Sequence, residues 1–204
     1  MISNNLNNKL FFLIKILLFI FIFLTKSFAF ESGKIKSITE GNEDAEIEIL
    51  VYESLTCPHC ATFHKEIYPE LKKNFIDKGL VKIEFKSFPL DMAALNASKI
   101  AHCKNDGKSD ILHFLYINQP KWLNGKTIEQ INLNLKDIIN KENLGINFNK
   151  CIDNEKIENH ILEERIESTK KFEINSTPTL IINNKKFNKP LTYKNIKKEI
   201  KKLI

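Results

Sequence analysis

The pattern of apolar and polar positions predicts strands alternating with a helix in the first part of the chain. Residues 46–54 alternate and then become continuously apolar, which is typical of a strand entering the interior of a sheet. A helix is predicted next, with Pro58 in its first turn and Gly79 at its end. Its apolar positions recur at helical spacing, at Phe63, Ile67, Leu71 and Phe75. Residues 80–88 alternate again and predict a second strand parallel to the first, which completes a βαβ unit.

The pattern becomes helical after this unit. Between residues 91 and 172 apolar positions recur every three or four residues, in the segments 92–103, 111–117, 128–139 and 157–166. Strand character returns at 179–183, with a tight turn predicted at Asn184-Lys185-Lys186 leading into Phe187 and a closing helix at 192–203. The order indicates an α/β fold, a single domain over residues 30–204 with a helical insertion at about 91–172.

The composition narrows the class of protein. The chain has 204 residues, of which 43% are hydrophobic and 27% charged, as in ordinary globular proteins. Its lysines are scattered among acids, as at 194–199, and no basic stripe is interleaved with aromatic residues. We therefore expect no nucleic-acid partner.

The first 29 residues have the layout of a secretory signal. Lys9 and Lys15 precede an apolar run at 16–24, and small residues stand three and one before a cut after Ala29. An uncleaved anchor is the alternative if the apolar run is counted from Leu10. Removing the signal would lower the formal net charge from +6 to +3, because it contains three lysines and no acid.

All four cysteines follow this segment, and two of them form a Cys-x-x-Cys motif at a predicted strand-to-helix junction. An even number of cysteines in an exported chain points to two disulfides. Cys57 is expected to ionise easily, because the amides and dipole at a helix N-terminus stabilise an anion. His59 could stabilise the Cys57 thiolate further. Cys60, one turn deeper, suits the role of the resolving thiol.

A second constellation is Thr177-Pro178, directly before the returning strand. Proline cannot donate to a strand ladder, so it must begin the strand or occupy a special bond. A cis peptide bond is therefore predicted, with a trans bond as the alternative.

Taken together, the run Ser54-Leu-Thr-Cys-Pro-His-Cys60, the helical insertion and Thr177-Pro178 resemble the DsbA family of periplasmic oxidoreductases. The resemblance covers most of residues 40–203. It implies a thioredoxin fold, Cys57 as the nucleophile, Cys60 as the resolving cysteine, His59 as thiolate stabiliser and Pro178 as a cis-proline against the disulfide. It also implies substrate backbone pairing near Thr177.

The resemblance further implies a donor of disulfides to unfolded exported proteins bearing cysteine thiols, reoxidised by a quinone-linked DsbB-like membrane oxidase. No cofactor and no resident metal are expected. Several such proteins carry an additional cysteine pair, which predicts a second disulfide between Cys103 and Cys151. One departure is that many members place a buried acid six residues before the first cysteine, whereas this chain has Val51 there and Glu53 nearby.

Three other interpretations remain open from the sequence. An isomerase or reductase would use the same two cysteines, and a purely structural disulfide would use them without chemistry. A metal carrier could hold an ion with Cys57, His59, Cys60 and His64, although we expect His64 to be a surface histidine. The remaining histidines are assigned no role and are expected at solvent boundaries: His102, His113 and His160.

Overall fold

The computed structural model describes residues 33–204, and residues 35–204 form one compact unit. The predicted signal and its cleavage site at Ala29 lie outside the described residues. Within the described part, no helix is both long enough and apolar enough to cross a membrane.

A five-stranded mixed sheet forms the centre of this unit. Its strands are β1 (Ile38–Glu40), β2 (Ile47–Glu53), β3 (Val81–Ser87), β4 (Thr179–Ile182) and β5 (Lys185–Lys186). They lie in the order β1-β3-β2-β4-β5. β2 is parallel to β3 and antiparallel to β4, so that Val51 lies opposite both Phe85 and Leu180. The central strand β2 is almost wholly buried, as its continuously apolar end predicts.

The helical segment after Cys57 contains α1 (Pro58–Thr62), π1 (Phe63–Ile67), α2 (Tyr68–Leu71) and π2 (Lys72–Ile76). The sequence predicts the helix but not the two π-helical stretches. Such stretches are frequent at functional sites. Gly79, at a positive φ of 71°, lies just beyond the helical end, and the chain then enters β3.

The insertion consists of helices only, as predicted. They are α3 (Met92–His102), α4 (Asp110–Ile117), α5 (Gln119–Trp122), α6 (Ile128–Lys141), α7 (Phe148–Ile152) and α8 (Glu155–Phe172). Asp91 and Asn154 accept hydrogen bonds from backbone amides at the starts of α3 and α8. Trp122 and Tyr116 are fully buried in the core shared with the sheet. The chain closes with α9 (Tyr193–Ile200).

Two features of the sheet differ from the sequence prediction. The three-residue strand β1 was not predicted, because so short an edge strand has no measurable periodicity. The predicted turn at Asn184-Lys185-Lys186 is wrong by one residue. Asn183 and Asn184 form the turn, with φ of 44° and 62°, and Lys185 begins β5. Positive φ at both central residues is the requirement of a type I′ hairpin, which asparagine tolerates well.

A disulfide joins Cys103, directly after α3, to Cys151 in α7. The Cα atoms are 5.4 Å apart and 48 residues separate the two cysteines in the sequence. The bond therefore fixes the end of the first helix of the insertion to the fifth, α7, and it restricts a long loop of the unfolded chain.

We expect the double substitution Cys103→Ser and Cys151→Ser to lower the free energy of unfolding by about 4 kcal/mol, the loop-closure entropy for a loop of this length. Urea unfolding without reductant measures the change. The comparison is best made in a Cys57→Ala/Cys60→Ala background, where no other thiol can exchange. An unchanged unfolding midpoint there would contradict the expectation.

Candidate active site

Cys57 lies at the point where the buried strand β2 turns into α1. Its backbone amide donates to the carbonyl of Ser54 at 3.0 Å, which closes the turn after the strand. Cys57 has an extended backbone and is the residue before the first helical turn, with Pro58 following it. Both it and Cys60 are free thiols, and Cys57 is only 7% exposed.

The surroundings of Cys57 favour its thiolate. A hydrogen bond from the Cys60 thiol makes the largest contribution, followed by the Thr177 side chain and the backbone amides of Cys60 and His59. Together these donors outweigh burial and lower the pKa of Cys57 to about 5. At pH 7 roughly 99% of Cys57 is therefore thiolate.

The surroundings of Cys60 favour its protonated thiol instead. Its side chain is fully buried one turn into the helical segment. Burial raises its pKa far above the ordinary range, and the Cys57 sulfur and the Glu53 carboxyl raise it further. One sulfur of the pair is thus charged and near solvent, while the other keeps its proton in the core.

The Thr177–Pro178 peptide bond is cis and brings this loop against Cys57. The Cys57 sulfur lies 3.4 Å from the carbonyl oxygen of Thr177. The Thr177 hydroxyl is buried and has no other hydrogen-bond partner among the described residues, so it is free to donate to the Cys57 thiolate. β4 begins at the next residue, Thr179, so the central sheet holds this loop in place.

The insertion also holds the turn before Cys57 in place, through a residue that sequence reasoning missed. The Gln119 side-chain amide donates to the carbonyls of Leu55 at 2.8 Å and Cys57 at 3.2 Å. On the other side, Thr56 donates to Asp91 at 2.8 Å. No pattern in the sequence identifies Gln119, because its partners are backbone atoms more than 60 residues away.

A buried polar chain starts behind the two cysteines. Glu53 lies 2.7 Å from His64, and His64 lies 2.7 Å from His113. The prediction that His64 is a surface histidine is therefore wrong: its side chain is 1% exposed. His113 in turn lies 2.9 Å from Glu40. One feature of the sequence does point to these contacts: Glu53 stands at the end of a continuously apolar strand. A buried carboxyl group there is unfavourable unless another polar group pairs with it.

The other predicted positions are placed as follows. The His59 side chain is exposed, and only its backbone amide stabilises the thiolate. Val51 is packed in the core. His64 does not complete a metal site with the cysteines, because both of its ring nitrogens face Glu53 and His113.

One histidine-containing group in the described part of the chain could hold a metal ion. It consists of His102, His160 and Glu164, whose ligand atoms lie within 4.8 Å of one another. His102 is buried rather than at a solvent boundary, and burial lowers its pKa to about 3. Lys86 already neutralises Glu164 at 3.1 Å, which disfavours a second cation there.

Comparison with known proteins agrees with the fold. Residues 34–202 match the family model described as Thioredoxin, so the chain belongs to the thioredoxin family. The crystal structure of alpha-DsbA1 from Wolbachia pipientis has a TM-score of 0.73 and 29% sequence identity, covering 82% of this chain and 90% of that one. BdbD from Bacillus subtilis has a TM-score of 0.68 at 23% identity, covering 84% and 98%, a likeness of fold alone.

Curated relatives point the same way. A Rickettsia bellii protein whose name describes a protein-disulfide oxidoreductase is 30% identical over 147 residues, 70% of this chain and 55% of that protein. Disulfide bond formation protein D of Bacillus subtilis is 27% identical over 174 residues, 79% of this chain and 74% of that protein. The chain spans about half the length of the Rickettsia bellii relative. The predicted DsbA-like fold with its helical insertion is confirmed.

We expect the ultraviolet absorbance of the Cys57 thiolate to titrate with a midpoint near pH 5 in the reduced protein. Thr177→Val removes one donor to a charged group, and it should raise the midpoint by about one pH unit. Thr169→Val is the matched control, because that hydroxyl bonds only to the Arg165 carbonyl on an exposed helix face. Equal midpoints in both variants would show that the Thr177 hydroxyl does not act on the thiolate.

The same pKa shift links stability to pH. The folded-state pKa of Cys57 lies below its ordinary value of 9.0, so the thiolate stabilises the reduced fold fully above about pH 9. This contribution is lost as the pH falls towards 5. The free energy of unfolding of the reduced protein, measured relative to Cys57→Ser, should therefore decrease from pH 9 to pH 5, and a pH-independent difference would argue against the shift.

Proposed function

We propose that the chain is a protein-disulfide oxidase that transfers its Cys57–Cys60 disulfide to exported proteins. The observation that carries this proposal is the asymmetry of the two thiols. Cys57 is a thiolate at neutral pH, and Cys60 retains its proton. The thiolate exists only in the reduced form, so its stabilisation favours reduction of the pair and makes the disulfide an oxidant.

The surface beside Cys57 supports an unfolded protein as the substrate. Leu90 and Met92 are 49% and 58% exposed, and Asp91 between them is bonded to Thr56, the residue before Cys57. An extended apolar segment bearing a thiol could pack on these side chains. The Thr177 carbonyl oxygen, 3.4 Å from the Cys57 sulfur, accepts from the Cys57 thiol and becomes free to pair with this segment once Cys57 no longer carries its proton.

Export, reoxidation by a quinone-linked DsbB-like membrane oxidase, and a periplasmic or equivalent oxidising location belong to the same proposal. They are supported by the DsbA-like relationship and by the apolar N-terminal segment of the sequence. In this role Cys57 receives the attack of the substrate thiolate, Cys60 leaves, and Pro178 and Thr177 hold the loop against the sulfur. His59 contributes its backbone amide to the Cys57 thiolate.

The equilibrium reduction potential of Cys57 and Cys60 in glutathione buffers tests the proposal. We expect a value well above that of thioredoxin, about −270 mV, and towards the DsbA level of about −120 mV. The Cys103→Ser/Cys151→Ser variant is the control that assigns the signal to the active pair. A potential near or below that of thioredoxin would overturn the oxidase and favour a reductase.

A further inference from the structure

Resting on the proposed function, we propose that Glu53, His64 and His113 form a proton relay. The relay moves the Cys60 proton between the buried cysteine pair and the surface pocket beside Glu40. In this proposal His64 and His113 transfer protons during thiol–disulfide exchange, a role that the Cys-x-x-Cys motif does not indicate.

The need for such a path follows from the burial of Cys60. When a substrate thiolate attacks Cys57, the disulfide bond breaks and Cys60 leaves as a thiolate, which must gain a proton. When the reduced pair is reoxidised through a mixed disulfide on Cys57, the Cys60 thiol must first lose that proton. Its thiolate then attacks the Cys57 sulfur and releases the partner thiolate. Cys60 is 0% exposed, so neither proton can be exchanged directly with solvent.

Glu53 is the inner end of the path. It acts electrostatically on both cysteines, and burial holds its pKa well above the ordinary value, which favours the protonated carboxyl. Its Oε1 atom is buried, as is the Tyr116 hydroxyl. The two side chains influence each other's ionisation and each acts electrostatically on Cys60, while Oε2 of Glu53 is engaged by His64.

From Glu53 the contacts run without a break to the surface. Glu53 Oε2 is 2.7 Å from His64 Nε2, His64 Nδ1 is 2.7 Å from His113 Nδ1, and His113 Nε2 is 2.9 Å from Glu40. His64 is stacked on Tyr116, with ring centroids 4.0 Å apart, which fixes its ring plane. His113 and Glu40 line an open surface pocket of about 440 Å³, where solvent reaches the outer end.

The hydrogen bonds can be satisfied in two ways that differ by the net transfer of one proton from Glu53 to His113. In the first, Glu53 is protonated and donates to His64 Nε2, His64 Nδ1–H donates to His113, and His113 Nε2–H donates to Glu40. In the second, the Glu53–His64 proton and the His64–His113 proton have each moved to the outer partner of their hydrogen bond while His113 keeps its Nε2 proton, so Glu53 is a carboxylate and His113 an imidazolium. No heavy atom has to move between the two.

The charged groups around the relay favour this proton transfer. Burial lowers the pKa of His64 to about 3, so His64 passes a proton on rather than retaining a charge. Hydrogen bonds from His113, Ser109, Tyr68 and Lys72 hold the pKa of Glu40 well below its usual range, which keeps an anion beside His113. The titratable or charged groups facing the relay are Glu40, Cys57, Cys60, Tyr68, Lys72, Asp77, Asp110 and Tyr116.

The experiment follows one glutathionylated intermediate in time. Reduced protein is mixed with glutathione disulfide, quenched with acid and analysed by mass spectrometry from pH 5 to pH 8. Formation of the mixed disulfide depends on Cys57, and its decay depends on deprotonation of Cys60. We expect His64→Gln, which keeps hydrogen-bonding groups, and His113→Ala to slow the decay tenfold or more. Formation should be unchanged in both variants.

Added imidazole should restore the decay rate of His113→Ala, because the substitution opens space at the outer, solvent-facing end of the relay. It should not restore His64→Gln, because the glutamine side chain leaves no space for imidazole at this buried position. His160→Ala, at a half-buried histidine outside the relay, is the matched control and should behave like the unsubstituted protein.

Decay at the unsubstituted rate in both variants would overturn the relay while leaving the oxidase intact. Equal slowing of formation and decay, without rescue by imidazole, would also overturn it and show a structural role for the histidines. An unsubstituted protein that forms no mixed disulfide on Cys57 would instead overturn the proposed function itself.

Discussion

The hydrogen bond from the Cys60 thiol to the Cys57 sulfur determines which of the two sulfurs is charged in the reduced protein. It is the largest influence that lowers the pKa of Cys57, and it also raises the pKa of Cys60. The rest of the site adds to this difference. The junction of β2 and α1 supplies amides to one sulfur, while the core excludes water from the other. A reversal of these environments would leave the accessible thiol protonated and slow to react.

The helical insertion supports the chemistry from behind the thioredoxin unit. Gln119 holds two carbonyls of the turn that carries Cys57, and Tyr116 and His113 come from the preceding helix. The disulfide between Cys103 and Cys151 fixes α3 to α7 beside this group of helices. The insertion therefore supplies side chains to the candidate site, and it also packs against the sheet through a shared apolar core.

The sequence was sufficient to predict β2, β3 and the longer helices, because each has a clear period, and to predict the cysteine pair from its motif, whereas the short helices α5 and α7 were not predicted. It could not predict the environment of His64. An α-helical stripe through Phe63, Ile67 and Leu71 leaves His64 beside the buried face, whereas a π turn contains an extra residue and brings His64 inwards with Phe63. Likewise, β1 is too short for a period, and the contacts of Gln119 depend on tertiary structure alone.

The second disulfide has a consequence for how such a protein matures. Cys103 and Cys151 must be oxidised before the insertion gains the stabilisation that their bond provides. In the proposed role, a copy whose Cys103 and Cys151 are still reduced is a suitable substrate for copies that are already oxidised. Formation of the Cys103–Cys151 disulfide would then be autocatalytic, because the first oxidised molecules accelerate its formation in later copies.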